Sequence, residues 1–340
     1  MRHRVLTAVA VAAALVAFAV STTTPVGAQT APAAKGKVPR TAWGKPDLEG
    51  TWDFRTITPL ERPANVDKEF LTAEEAAKLE KAVVDRNAEL DERPPQEVPK
   101  GGNVDRQADG SPGFYNNFWL DGGTKTVGTL RTSLITDPKD GRLPPMTEAA
   151  RKRAEERRAY LRDHPADSWL DLAPANRCMV GFNAGPPLSP GGYNQNLLIV
   201  QTKDYVGLMT EMVHSYRMVP LDGRPALKSN VRQWSGDARG RWEGDTLVIE
   251  TSNFNPDRAW RGTSDKMKLV ERLTRPDANT MEYTYTVTDP ETWTKPWTAS
   301  ITLRRSEGQL YEYACHEGNY SEGNILAGQR AIEKRAAEKK

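Results

Sequence analysis

VRQWSGDARGRWEGDTLVIET, Val231–Thr251, decides the fold. Two strand-forming runs meet at Gly244-Asp245, a turn dipeptide, and together they predict a hairpin. The pattern repeats on both sides. Upstream, NLLIVQT (196–202) meets YVGLMTEMVHSYRMV (205–219) across Lys203-Asp204. Downstream, MKLVERLTR (267–275) and TMEYTYTVTD (280–289) flank Pro276-Asp277-Ala278-Asn279. WTASITLRR (297–305) and QLYEYAC (309–315) flank Ser306-Glu307-Gly308. Successive strands joined by turns predict a mainly β, antiparallel meander. It is expected to close into a barrel or a strongly curved sheet, with a few peripheral helices. Closure would satisfy the edge strands and enclose a ligand-sized space.

The chain opens MRHRVLTAVAVAAALVAFAVSTTTPVGA. Arg2 and Arg4 precede an apolar run, Val5–Val20, and Val26-Gly27-Ala28 puts small residues where a signal peptidase cuts. Residues 1–28 therefore read as a secretory signal peptide. The run is shorter than the ~20 residues of a membrane span, so no stable anchor is expected. Localisation is expected to be periplasmic or secreted. Loss of Arg2 and Arg4 takes the formal charge from +2 to 0. A neutral chain argues against nucleic acid as a partner. Residues 29–45 read as a disordered leader, 46–330 as a single β-rich domain with long insertions, and 331–340 as a charged tail. Thr72 and Glu75 form a capping box for a helix over 72–90. EAARKRAEERRAYLRD (148–163) reads as a charged helix, and ILAGQRAIEKRAAEKK (325–340) as a helix that frays into charge.

An exported chain with two cysteines, Cys178 and Cys315, favours a disulfide between them. The bond would tie the ANRCMVG loop to the end of the last strand. His316 follows Cys315, but on a strand adjacent residues face opposite ways, so the two do not form a nucleophile pair. His214 lies in HSYRM, where alternation groups it with Met212 and Tyr216 and puts Glu211 and Arg217 on the other face. Glu271 shares a face with Met267, Leu269 and Leu273, which predicts burial. An arginine partner is the structural explanation for it, and general acid or base chemistry the functional one. Arg239 and Arg241 lie in GDARGRWEGD. Either they grip an anion at a cavity mouth, or they pair with acids of their own hairpin. Trp119, Tyr193, Trp297 and Tyr313 sit in polar company and are candidate ligand-stacking rings. No cofactor is predicted. A divalent metal is not favoured, since H-E-x-x-H and close Cys/His spacing are absent. If one were held, His214, His316 and Glu317 are its candidate ligands.

Several strings are similar to those of a largely uncharacterised family of exported bacterial proteins: YNNFWLD, RTSLITDPKDGRLPP, RWEGDTLVIETSNF, LVERLTR, DPETWTKPW and YEYACHEGNY. The resemblance runs from about Asp47 to Arg330 and attaches no reaction and no catalytic residue. At the level of fold, Gly50-Thr51-Trp52 resembles the G-x-W opening of lipocalins and related calycin barrels. GRWEGDTLVIET resembles the hairpins of fatty-acid-binding-like barrels. This likeness implies a ligand-holding barrel and transfers no site residue.

Three functions compete. The first is an exported β-barrel that binds a polar-aromatic or anionic small molecule through Arg217, Arg239, Arg241, Tyr193, Trp119, Trp297 and Tyr313. The second is a hydrolase, lyase or isomerase in the same cavity, with Glu271 or Glu211 as acid/base and His214 or His316 as partner. The third is a structural or interaction protein with a plugged barrel. Oligomeric state is not legible in the sequence.

Overall fold

The structure is a computed structural model that describes residues 37–92, 120–258 and 260–338. The strands in chain order are β1 (Gly50–Asp53), β2 (Ile135–Asp137), β3 (Asn196–Gln201), β4 (Tyr205–Thr210) and β5 (Tyr216–Pro220). They continue with β6 (Asp237–Glu243), β7 (Thr246–Ser252), β8 (Lys268–Thr274), β9 (Thr280–Thr288) and β10 (Trp297–Ser306). Among the described residues three α-helices accompany them: α1 (Ala73–Asp91), α2 (Glu148–Asp163) and α3 (Tyr320–Ala337).

The Val231–Thr251 hairpin forms as β6 and β7, with Glu243 opposite Thr246. Gly244 turns the chain at φ 60°, a left-handed conformation that glycine takes without penalty. β8 and β9 pair with Lys268 opposite Thr288. In the turn between them Asp277 accepts from the Asn279 and Thr280 N–H groups at 2.8 Å. The Thr72–Glu75 capping box opens α1. Thr147 caps α2 by accepting from the Ala150 N–H.

The sheet runs β5-β4-β3-β1-β10-β9-β8-β7-β6, with β2 added beside β10. Every strand pairing is antiparallel. This corrects the expected fold class: the architecture mixes helices with one open sheet. The sheet neither closes into a lipocalin- or calycin-like barrel nor curls until its edge strands pair. β5 and β6 are the two ends of the path and share no ladder. They approach at Gly240, where a Cβ would meet Val219 Cγ1 at 2.8 Å, but form no ladder, and the segment between them is held to β6 through side chains. Asp237 accepts from the Leu227 N–H at 2.7 Å, and Arg239 donates to the Pro225 carbonyl at 2.9 and 3.0 Å. The plain meander is corrected too. β1, from far upstream, lies between β3 and β10 and joins the two hairpin runs into one sheet.

The last expected strand does not form. Residues 309–318 are turns and irregular backbone, so Cys315 and His316 lie in a turn and alternation says nothing about them. Alternation fails at HSYRM as well. Met212–His214 is a 3₁₀ turn in which Val213 and His214 have φ of 58° and 38°. Met212 is therefore buried and His214 exposed, although alternation put them on one face, whereas within β5 alternation holds, with Arg217 inward and Tyr216 exposed.

β9 alternates without a break, burying Met281, Tyr283, Tyr285 and Val287. These join Trp52, Leu197, Val206, Val219, Ile249 and Leu269 in one core cluster. Glu271 lies in this core, fully buried on the face that alternation gave it. Its partner is Arg217, which donates from Nη1 at 2.6 Å and Nη2 at 2.5 Å. The Tyr283 hydroxyl donates to the same carboxylate at 2.7 Å and accepts from the Leu188 N–H at 3.2 Å. Burial works against the Arg217 charge, but the Glu271 carboxylate overcomes it and raises the Arg217 pKa. Burial first, and Glu271 second, hold the Tyr283 phenol well above its ordinary value. Tyr283 therefore remains a hydrogen-bond donor at neutral pH.

Removing one member of a buried pair leaves the other charge without compensation. Glu271→Ala is expected to cost about 3–5 kcal/mol in urea unfolding. Arg217→Met combined with Glu271→Leu should cost far less, because neither charge is left behind. A Glu271→Ala cost below about 1 kcal/mol would show that the pair does not hold the two parts of the sheet together.

Candidate functional site

The sequence gathers its chemistry around Cys178 and Cys315, and the structure joins them. They form a disulfide across 137 residues, with Cα atoms 5.8 Å apart. A cleft of about 600 Å³ opens beside the bond. Three short segments and the residues leading into α3 build it.

On one side is the turn that carries Cys178. Asn319, just before α3, donates from Nδ2 to the Asn176 carbonyl at 2.9 Å and to the Cys178 sulfur at 3.5 Å. The Ser321 hydroxyl donates to Asn319 Oδ1 at 2.8 Å. Disulfide and amide together pin the residue 313–319 turn against the Asn176 loop. On the second side is the β4–β5 turn. Met212 and Val213 are buried with Cys178 and Ala184 in a small cluster of their own, and Tyr193, Tyr313 and Cys315 pack on it. Gly181 permits this contact, because a Cβ there would overlap Met212 Cγ. His214 Nδ1 meets the Tyr313 carbonyl at 3.2 Å, so this ring nitrogen carries the proton. The third side is Phe182 with Tyr193, edge to face at 5.4 Å between ring centroids. Buried Asn183 fixes that segment by donating to the Tyr193 and Asn194 carbonyls at 2.8 and 3.3 Å.

Four non-glycine residues around the cleft have positive φ: Cys178 at 55°, Asn194 at 51°, Val213 at 58° and His214 at 38°. For Asn194 the cost is small. For β-branched Val213 it is of order 1–3 kcal/mol, held in place by the packing around it.

The sequence candidates are distributed as follows. Tyr193 and Tyr313 line the cleft with Cys315. Glu211 is buried and accepts from Asn196 Nδ2 at 2.8 Å. Glu271 is committed to Arg217 and Tyr283. His214, His316 and Glu317 are exposed. The His214 N–H donates to the Glu211 carbonyl at 3.2 Å, but among the described residues no side-chain hydrogen bond or ion pair joins His214 or His316 to Glu211, Glu271 or Glu317. The shared His/Glu/Arg acid–base site is therefore not assembled. Among the same residues, no group of three or more His, Cys, Asp or Glu is placed to hold a metal ion.

The anion-gripping arginines are corrected in the same way. Arg217 faces Glu271, Arg239 pairs with Asp237 at 2.5 Å, and Arg241 pairs with Glu243 at 2.7 Å and Glu250 at 2.5 Å. Trp297 is fully buried and stacks on Trp260 at 6.0 Å, so it is core rather than ligand platform. Trp119 lies outside the described residues. With no closed barrel there is no lumen for a ligand, and the function built on that lumen falls with it.

Sequence reasoning missed Phe182, Asn176, Gly181 and Asn319 as cleft residues. The signal for two of them was present. Once Cys178 is paired with Cys315, Asn176 and Asn319 must come close, being two and four residues from the bond. Nothing local marked Phe182 or Gly181.

No helix among the described residues is long and apolar enough to cross a membrane. Neither the models of protein families nor the curated proteins contain a match to this chain.

The bond closes a long loop, which in chain-entropy terms amounts to about 4–5 kcal/mol. Its local consequence is more specific. Tyr311 and Tyr320 are highly exposed, and the disulfide lies between them. Reduction is expected to speed chymotryptic cleavage at these two tyrosines several-fold while the sheet stays folded by circular dichroism. Equal cleavage rates before and after reduction would show that the bond does not hold the segment.

Proposed function

We propose that the mature chain is an exported protein that binds a small, uncharged, hydroxyl-bearing molecule in the cleft beside Cys178–Cys315. The observation that carries this reading is the cleft's chemistry. Its rings are Phe182, Tyr193 and Tyr313, its polar side chains include Asn176, Asn319 and Ser321, and its one charged residue is Glu312. No Lys or Arg among the described residues lines it. Ring faces take the C–H faces of a ligand, while amides and a carboxylate take its hydroxyls. A saccharide has both. An anion would meet Glu312 and no counter-charge.

Export rests on the N-terminal pattern of residues 1–28 and on the family resemblance, and a disulfide suits an oxidising compartment. The balanced charge of the mature chain supports a small-molecule partner over nucleic acid. Binding is favoured over catalysis because Glu271 and Glu211 are engaged by Arg217, Tyr283 and Asn196.

Calorimetric titration of the mature protein with neutral mono- and disaccharides tests the reading. At least one should bind saturably, with little change between low and high salt because the ligand carries no charge. Tyr313→Ala and Asn176→Ala should each weaken it about tenfold or more without lowering the melting temperature. If no neutral sugar binds, or if both variants bind as the wild type does, the reading is wrong.

A further inference from the structure

A second cavity, of about 240 Å³, lies apart from the disulfide cleft. The Thr56–Leu60 segment, Leu134, Ser189–Gly191, Arg261 and Tyr285 line it. None of the residues singled out in the sequence is among them.

Tyr285 is the central observation. It projects from β9 into the core at 2% exposure, its ring against Tyr283 at 5.6 Å and Trp297 at 5.7 Å. The neighbouring Tyr283 hydroxyl is fully engaged. The Tyr285 hydroxyl makes no hydrogen bond to any described residue, although it lines the cavity. The hydroxyl therefore opens onto the cavity with its proton free to donate to a ligand.

Arg261 is the second observation. Its guanidinium stands over the Trp260 ring at 5.7 Å, and Trp260 in turn stacks on Trp297. It makes no ion pair with any described carboxylate, whereas Arg217, Arg232, Arg239 and Arg241 all do. No Asp or Glu among the described residues lines the cavity. The Thr58 hydroxyl oxygen accepts from the Val127 N–H at 3.1 Å, which leaves its own proton available. Thr58, Arg261 and Tyr285 thus offer free donors, one of them cationic, while the Thr56 and Ser189 hydroxyls donate to the Lys125 and Pro187 carbonyls, and Ile57, Leu60 and Leu134 supply an apolar wall.

We propose that this cavity is a binding site for a small apolar carboxylate, whose carboxyl group lies between the Arg261 guanidinium and the Tyr285 hydroxyl. Donors on one side and hydrocarbon on the other match a carboxylate with a short apolar body. The volume exceeds the ~150 Å³ of an apolar cavity that holds benzene, so a ring with one carboxyl group fits. Burial raises the Tyr285 phenol and the Arg261 charge only partly offsets this, so Tyr285 is a donor at neutral pH. The site is independent of the cleft beside Cys178–Cys315 and of Arg217, Arg239 and Arg241.

The test is titration of the mature protein with benzoate, followed by calorimetry, with benzamide as the uncharged isostere. Benzoate should saturate the protein, bind about tenfold or more tightly than benzamide, and weaken as salt rises. Arg261→Gln should cost about tenfold in benzoate affinity. Arg261 is exposed, so this variant folds as the parent does. Tyr285→Phe removes one oxygen and should cost about three- to tenfold. Tyr313→Ala, in the other cleft, should leave benzoate binding unchanged, so failure of one site is distinguishable from failure of the other. The proposal is overturned by absence of saturation below about 10 mM benzoate, by equal affinity for benzamide, or by an Arg261→Gln variant that binds as tightly as the wild type.

Discussion

A carboxylate with no access to water sits in the middle of this protein, and much of the structure answers to it. A carboxylate buried this deeply calls for a counter-charge. Arg217 supplies that charge from β5, which is not a neighbour of β8 in the hydrogen-bonded path. The pair thus links two strands that are not adjacent in the sheet. It also fixes the register of an edge strand. Arg217 lies opposite Leu208, which is buried on β4. A slip by one residue would turn Tyr216 or Met218 inward and leave Glu271 unpaired. Such a slip is penalised far more by a stranded charge than by a misplaced apolar side chain.

The same demand reaches the disulfide cleft through the β4–β5 turn. Five residues, 211–215, must deliver Arg217 to the inner face, and the backbone does so by taking Val213 and His214 into the left-handed region. That turn places Met212 and Val213 against Cys178, which makes them a wall of the cleft. The strained conformation is held from both sides, by the charge pair after it and by the disulfide-bonded loop packed on it. The cleft is accordingly a product of core electrostatics as well as of a covalent bond.

Local pattern was legible where local pattern decides. Gly244-Asp245, the β8–β9 turn and the Thr72–Glu75 box were readable because each is settled within a few residues. The burial of Glu271 followed from Leu269 and Leu273 on either side, and the cysteine pair followed from number and export. The barrel was not readable, because closure depends on whether β5 and β6 pair across the connection over residues 221–236. Asp237 and Arg239 bind that connection instead. The insertion of β1 between β3 and β10 is a long-range event that Gly50–Asp53 does not announce. HSYRM and YEYAC were misread for one reason: alternation applies only to extended chain, and both segments turn. The 240 Å³ cavity was beyond sequence reasoning, since its residues come from well-separated parts of the chain.

Charge allocation gives the two cavities opposite character. Arginine is abundant in this chain, yet the inward-facing and hairpin arginines spend their donors on acids and carbonyls close by: Arg217 on Glu271, Arg239 on Asp237, Arg241 on Glu243 and Glu250, and Arg275 on Ala278. Arg261 differs in facing a cavity, beside the Tyr285 phenol, with neither an ion pair nor a hydrogen bond to a described residue. The disulfide cleft shows the reverse, with aromatic rings, amides and one carboxylate but no cation. A carboxylate entering the cleft would face Glu312 unaided, and a sugar entering the smaller cavity would set hydroxyls against Ile57, Leu60 and Leu134 without enough acceptors to satisfy them. If the two proposals hold, each cavity would reject the other's ligand by leaving polar groups unmatched, a stronger basis for discrimination than differences in shape.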